Sequence, residues 1–201
     1  MLVVDFSTAL AAFTTIVCVV IAKIIASAWT PDLPVETLIN RWAQKPSSFL
    51  SVWGLTVHIR EVGTRGIGGP PVVLLHGTAS FLRTWDGWAS SLAASGRNVF
   101  SMDLPGFGLT GPYLDGSDYT IERYVDFVIA VLDAADYGSA PVVLVGNSLG
   151  GHIAYMVALR YPSRVCRLVL VDAAGTGTPW HRVPPAMRLT QVSRGSAWPR
   201  S

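Results

Sequence analysis

Four short, almost wholly apolar runs constrain this chain more than any other feature. They are residues 71–76 (PVVLLH), 98–102 (NVFSM), 141–145 (PVVLV) and 167–171 (RLVLV). A strand with one wet face alternates apolar and polar residues, whereas a continuous apolar run belongs to a strand covered on both faces. Helix-patterned stretches separate the runs, at about 81–94, 119–135 and 149–161. In the second of these, Ile121, Tyr124, Val125, Val128, Ile129 and Leu132 recur at helical spacing. Upstream, residues 50–62 alternate with period two around Gly54, the pattern of a hairpin. The expected fold class is therefore α/β, a mostly parallel sheet with flanking helices and right-handed crossovers. Ligands of such sheets gather beyond the carboxyl ends of the strands, here just after His76, Met102, Val145 and Val171.

A different pattern occupies the N-terminus. Residues 9–29 are a largely apolar run with one charge, Lys23, and a helix of that length crosses a ~30 Å hydrocarbon core at ~1.5 Å per residue. Lys23 can snorkel, Trp29 suits the interface, and Pro31 and Pro34 stop the helix. Three readings are open: a membrane anchor, a cleaved signal peptide with residues 26–28 (ASA) as its site, and a buried core helix. Asp5 and the lack of Lys or Arg before the run disfavour the signal peptide, and the missing amphipathic stripe disfavours the core helix. The anchor reading places a single pass at residues 9–29. Lys23, Arg41 and Lys45 follow the run and put the domain on the cytoplasmic side, with export after cleavage as the alternative. Expected domains are residues 1–30 anchor, 31–49 connector with a short helix near 35–43, 50–175 core, and 176–201 basic tail or start of a cap.

Composition excludes several classes. Half of the 201 residues are apolar, which is enough for a packed core and rules out disorder. Two cysteines make no disulfide scaffold, and Cys18 and Cys166 are expected as free buried thiols. A net charge of +2 makes no case for nucleic-acid binding, but it is unevenly spread. Residues 1–159 hold 8 Lys and Arg against 12 acids, whereas 160–201 hold 7 Arg against Asp172 alone. Nothing in the sequence bears on oligomeric state, and no residue pattern calls for a metal or cofactor.

The chemistry-bearing motif follows the third apolar run: Gly146-Asn147-Ser148-Leu149-Gly150, with Gly151 next. G-x-S-x-G between a strand and a helix is the nucleophile-elbow pattern. Small residues on either side of the serine let strand and helix approach, and the turn lifts the hydroxyl above the sheet. The N-terminus of the next helix then stabilises charge developing beside Ser148.

With these flanks the chain resembles the α/β-hydrolase family over roughly residues 50–175. The resemblance rests on VWGLTVHIREVG, VVLLHG, DLPGFGLT, VGNSLGGHIA and LVLVDAAG, in that order. It implies a serine hydrolase acting on a small ester-like acyl substrate, with Ser148 as nucleophile and no cofactor. The family's oxyanion hole uses two backbone N–H groups, here those of Leu149 and Thr78. Gly77, Trp85 and Asn147 are the expected substrate-side residues, although Trp85 and Trp88 suit core packing equally. His76 and Asp103 are expected to be structural.

The family's chain order is Ser, then Asp or Glu, then His. Downstream of Ser148 stand one acid, Asp172, and two histidines, His152 and His181. Asp172 is the candidate acid and His181 the candidate base; His152, on the elbow helix, is not expected to face the hydroxyl. The resemblance implies two further strand–helix units beyond Val171, at about 30 residues each, and about 30 residues remain. The chain is thus expected to be an incomplete copy of the family's fold. Two alternatives stand beside the hydrolase: a membrane-tethered module that binds without turnover, and an inactive gene fragment. A serine at the elbow disfavours the family's haloalkane dehalogenases and epoxide hydrolases, which use aspartate there.

Overall fold

The computed structural model describes residues 5–175. Contacts divide the chain into two units, one up to Leu38 and one from Ile39 onward. In the first, helix α1 (Phe6–Ala28) begins at Asp5, whose carboxylate accepts the Thr8 N–H at 2.8 Å. Inside the helix the Thr14 and Thr15 hydroxyls donate to the Leu10 and Ala11 carbonyls, each at 2.9 Å. Ser27 does the same to Ile24. Polar side chains closed onto their own backbone are cheap to place in an apolar medium. The span Ser7–Ala28 has a mean hydropathy of 2.4, and none of it is buried among the described residues. By length and composition it is able to cross a membrane. Helix α2 (Val35–Trp42) follows, and the division between the units falls within it.

Among the described residues the second unit is built on six strands: β1 (Ser47–Val52), β2 (Leu55–Val62), β3 (Val72–Leu75), β4 (Val99–Met102), β5 (Val142–Asn147) and β6 (Val165–Val171). Their order is β1-β2-β4-β3-β5-β6. β2 is antiparallel to both neighbours, while β4, β3, β5 and β6 pair in parallel, so β2 alone runs against the rest. β1 and β2 join through Trp53 (φ 52°) and Gly54 (φ 77°), a two-residue turn with both residues left-handed. The hairpin begins at Ser47, three residues before the expected start, because 47–49 pair with 58–60 despite lacking an apolar alternation.

Three of the four apolar runs are covered on both faces, as their composition requires. The fourth, 167–171 in β6, is not, because β6 is the edge strand among the described residues and Leu168, Val169 and Leu170 are exposed. Val73 and Leu75 face helices α4 (Ile121–Ala134) and α5 (Leu149–Arg160), meeting Phe127, Val128, Ile153 and Val157. Val72 and Leu74 face the opposite layer, with Trp85 and Ala89. That layer is a 3₁₀ turn (Leu82–Trp85) leading into α3 (Asp86–Ala94), where a single helix from 81 to 94 was expected. The turn is drawn tighter because Asp103 holds the Leu82 N–H at 2.7 Å.

Asp103 and His58 form a fully buried clamp. The Asp103 carboxylate accepts the His58 ring at 2.8 Å, the Leu109 N–H at 2.8 Å and the Leu82 N–H. His58 in turn reaches the Ser47 hydroxyl at 2.9 Å. One side chain thus ties β1, β2 and the loops after β3 and β4 together, the bracing role expected of Asp103.

The cysteines are free, as expected, but not buried: Cys18 and Cys166 are both exposed, the second because β6 is the sheet's edge strand among the described residues. Cys166 donates its thiol to the Val142 carbonyl at 3.3 Å.

Asp103→Ala leaves three donors, two of them buried, without their acceptor, and it should cost about 3–5 kcal/mol in urea unfolding. A loop carboxylate such as Asp118, replaced by Ala, should cost within ~0.5 kcal/mol. Equal losses would remove the clamp from the account.

Candidate active site

At the carboxyl end of β5 the chain turns through Ser148, at φ 49° and ψ −112°, directly into α5. A left-handed φ is costly for a residue with a side chain and marks a position that its surroundings over-determine. The surroundings are hydrogen bonds and close backbone contacts. The Ser148 N–H donates to the Val171 carbonyl at 3.1 Å, and its own carbonyl accepts Ala174 N–H at 2.9 Å and His152 N–H at 3.0 Å. The Asn147 amide donates to the same Val171 carbonyl at 3.1 Å.

Glycines make the approach possible. A Cβ on Gly146 would lie 2.2 Å from the Gly150 carbonyl oxygen, and one on Gly150 would lie 2.3 Å from that of Leu75. On Gly151 it would meet the Ala173 side chain at 2.6 Å. Real Cβ atoms do not approach backbone so closely, so each position requires glycine. Gly77 brings the loop after β3 to the elbow: its Cβ would stand 2.8 Å from Asn147 Oδ1 and 3.1 Å from Ser148 Cβ.

The structure brings several sequence candidates together. Ser148, Asn147 and Gly77 are in mutual contact range, and Leu149 opens α5, whose first N–H groups have no partner within the helix. Thr78 lies exposed in the turn after Gly77, next to Ala79 at φ 56°. Asp172 follows Val171 at the same end of the sheet, exposed and at φ 45°, like Ser148 and Ala79 a non-glycine residue in the left-handed region. Trp85 is only 5 % exposed, packed in the core with Val145 and edge-on to Trp88. This is its core-packing alternative, and it takes Trp85 off the substrate side. His181 lies outside the described residues.

The other histidines are committed elsewhere. His58 has both ring nitrogens in the clamp. His76 takes the Leu104 N–H on Nε2 at 3.0 Å and bonds the Gly77 carbonyl through Nδ1 at 2.8 Å, so Nδ1 carries the proton. Burial holds the His76 pKa below the ordinary histidine value, which suits a neutral ring in that structural role. His152 stacks on Tyr155 with centroids 5.0 Å apart and sits beneath Gly175; burial lowers its pKa too, against the pull of Glu122.

The segment from Val171 to Gly175, read in sequence as a family motif with Asp172 as candidate acid, has a bracing role at the elbow that the motif did not reveal. It receives Ser148 and Asn147, packs Ala173 on Gly151, and accepts the Tyr155 hydroxyl on the Gly175 carbonyl at 3.1 Å. Its signal in sequence is the run of small residues Ala173-Ala174-Gly175 straight after a buried-type strand.

A family profile described as alpha/beta hydrolase fold matches residues 70–200. The chain belongs to the α/β-hydrolase family. Among curated proteins it is 35 % identical over 128 residues to 2-hydroxymuconate semialdehyde hydrolase of Pseudomonas sp. (strain CF600), covering 63 % of this chain and 43 % of that one. Among solved structures, it matches a putative lipase from Acinetobacter baumannii with a TM-score of 0.65 and 30 % identity, over 82 % of this chain and 55 % of that one. A bacterial membrane phospholipase A matches with a TM-score of 0.59 and 30 % identity, over 83 % of this chain and 49 % of that one. The chain thus spans about half the length of these α/β-hydrolase relatives. Residues 47–201 are 155 of the 201, so matches of 82–83 % also take in part of the first 46 residues.

Gly150→Ala forces a methyl into the Leu75 and His76 carbonyls, and it should lower stability by about 3 kcal/mol or more. Gly87→Ala meets nothing within 4 Å on α3 and should raise stability by about 0.5 kcal/mol. Thermal and urea unfolding of the two variants, measured in parallel, check both signs.

Proposed function

We propose that this α/β-hydrolase chain is a serine acyl-ester hydrolase module carried on an N-terminal membrane anchor, residues 1–30, with the catalytic core in 50–175. The carrying observation is Ser148, held at a strained φ of 49° between β5 and α5 by glycines whose Cβ positions are filled by backbone. Strain kept at such cost at the end of a parallel strand is the mark of a functional position.

In this reading the Ser148 hydroxyl oxygen attacks the ester carbonyl carbon. The developing oxyanion is held by the backbone N–H groups of Leu149 and Thr78, on the positive end of α5. The hydroxyl proton passes to a base, for which His181 is the candidate, oriented by a carboxylate, for which Asp172 is the candidate. It is then delivered to the departing alkoxide, and water cleaves the acyl-serine by the reverse sequence of proton transfers. Asn147 and Gly77 shape the floor beside the serine. The domain is read as cytoplasmic, since Lys23, Arg41 and Lys45 follow the apolar run. The names of the two solved relatives, a membrane phospholipase A and a putative lipase, support an acyl ester as substrate.

Hydrolysis of p-nitrophenyl butyrate by the full chain in detergent tests this. Ser148→Ala should lower turnover by roughly 10³-fold or more while leaving the unfolding midpoint within ~1 kcal/mol of wild type. Turnover that survives the substitution would end the Ser148 reading. A folded wild-type chain with no turnover on any ester would favour a tethered binding module.

A further inference from the structure

Helix α2 (VETLINRW) carries its apolar residues at Val35, Leu38, Ile39 and Trp42, the i, i+3, i+4, i+7 spacing of a one-sided stripe. Glu36, Thr37, Asn40 and Arg41 occupy the other side. No residue of the helix is buried; Val35 is 61 % exposed and Ile39 37 %, and Trp29 and Leu33 just before it are exposed as well. Water is a poor partner for such a stripe, and α2 begins only six residues past the apolar helix α1.

The C-terminal end of α2 is docked within the second unit, and the place is informative. Within the folded unit the Trp42 ring meets Phe81 edge-on at 5.5 Å. Arg83 donates to the Trp42 carbonyl at 3.4 Å, and its guanidinium lies 5.9 Å from the Trp42 ring. Phe81 stands three residues after Thr78, and the Leu82 N–H next to it is fixed by Asp103. The polypeptide therefore enters the folded unit against the very loop that carries one candidate oxyanion donor.

We propose that α2 is an interfacial helix that lies in the bilayer surface by its 35/38/39 side. Its Trp42 end holds the loop 76–85 at that surface, so the substrate is an ester whose acyl chain resides in the membrane. A lipid surface is the occupant that fits, for three reasons. The stripe is backed by a polar face of both charge signs, the helix is tethered to an apolar span of mean hydropathy 2.4, and Trp29 and Lys45 flank it as interfacial residues do. The inference rests on reading α1 as a membrane span and Ser148 as the nucleophile, and it adds the substrate class.

Two readouts on the full chain in phosphatidylcholine vesicles separate it from those readings. The first is positional. With Cys18 and Cys166 replaced by serine, a bimane label at Ile39→Cys should be quenched by lipid spin-labelled near the headgroup, and one at Asn40→Cys should not. Val35→Cys serves as a second probe of the same face. Equal quenching at positions 39 and 40, or none, overturns the interfacial helix whether or not the chain is an enzyme. The second readout is the ratio of turnover on vesicle-borne p-nitrophenyl palmitate to turnover on soluble p-nitrophenyl acetate. Ile39→Glu should lower that ratio roughly tenfold or more, and Asn40→Glu should leave it in place. A ratio unmoved by Ile39→Glu overturns the substrate class while leaving Ser148 standing. A wild-type chain that cleaves neither ester removes the Ser148 reading and the substrate class together, and the quenching result still decides the helix.

Discussion

Backbone touching backbone at the start of α5 is the constraint on which the candidate site depends. Gly150 lies against the Leu75 and His76 carbonyls of β3, and Gly146 against Gly150 itself, at distances no side chain permits. That approach brings the first turn of α5 to the ends of β3 and β5. It also forces the sharp turn at Ser148 and brings Gly77 into contact with it. Hydrogen bonds then hold the turn in place: Ser148 to Val171 on one side, Ala174 to Ser148 on the other. The strain at Ser148 follows from the packing of the whole layer, which is why it persists.

Much of this was legible beforehand because buried parallel strands have a compositional mark. Val72–Leu75 and Val142–Asn147 read as covered on both faces, and they are. The elbow was legible because steric need leaves glycine in fixed places around the serine. What escaped was set by tertiary contacts without a periodic signature. The 3₁₀ turn at Leu82–Trp85 exists because a carboxylate twenty-one residues later captures the Leu82 N–H. The β1 start at Ser47 is dictated by pairing with Arg60, in a stretch with no alternation to reveal it. Burial of Trp85 was open in sequence, since an aromatic beside a pocket and one inside a core look alike. The exposure of Cys18 and Cys166 was missed because a thiol was taken as an apolar filler, and neither side chain is covered among the described residues.

The polar core shows how buried residues that brace the fold differ from the candidate site residues. His58 and Asp103 have the residue types of a catalytic relay, as does His76 beside the loop. Yet all three are fully buried and spend their hydrogen-bonding capacity on loops and strands. They make the sheet's carboxyl end rigid. Ser148 and Asp172 are the opposite case: reachable from solvent, left-handed without being glycine, and placed where two strands end side by side.

The most direct test of the central claim is covalent. The full chain, treated with a fluorophosphonate and digested, would be mapped by mass spectrometry. The account predicts a phosphonate adduct on the peptide carrying Ser148 and none after prior denaturation, because the reactivity belongs to the folded elbow. An unmodified Ser148 in a folded chain, or labelling that survives denaturation, would contradict it.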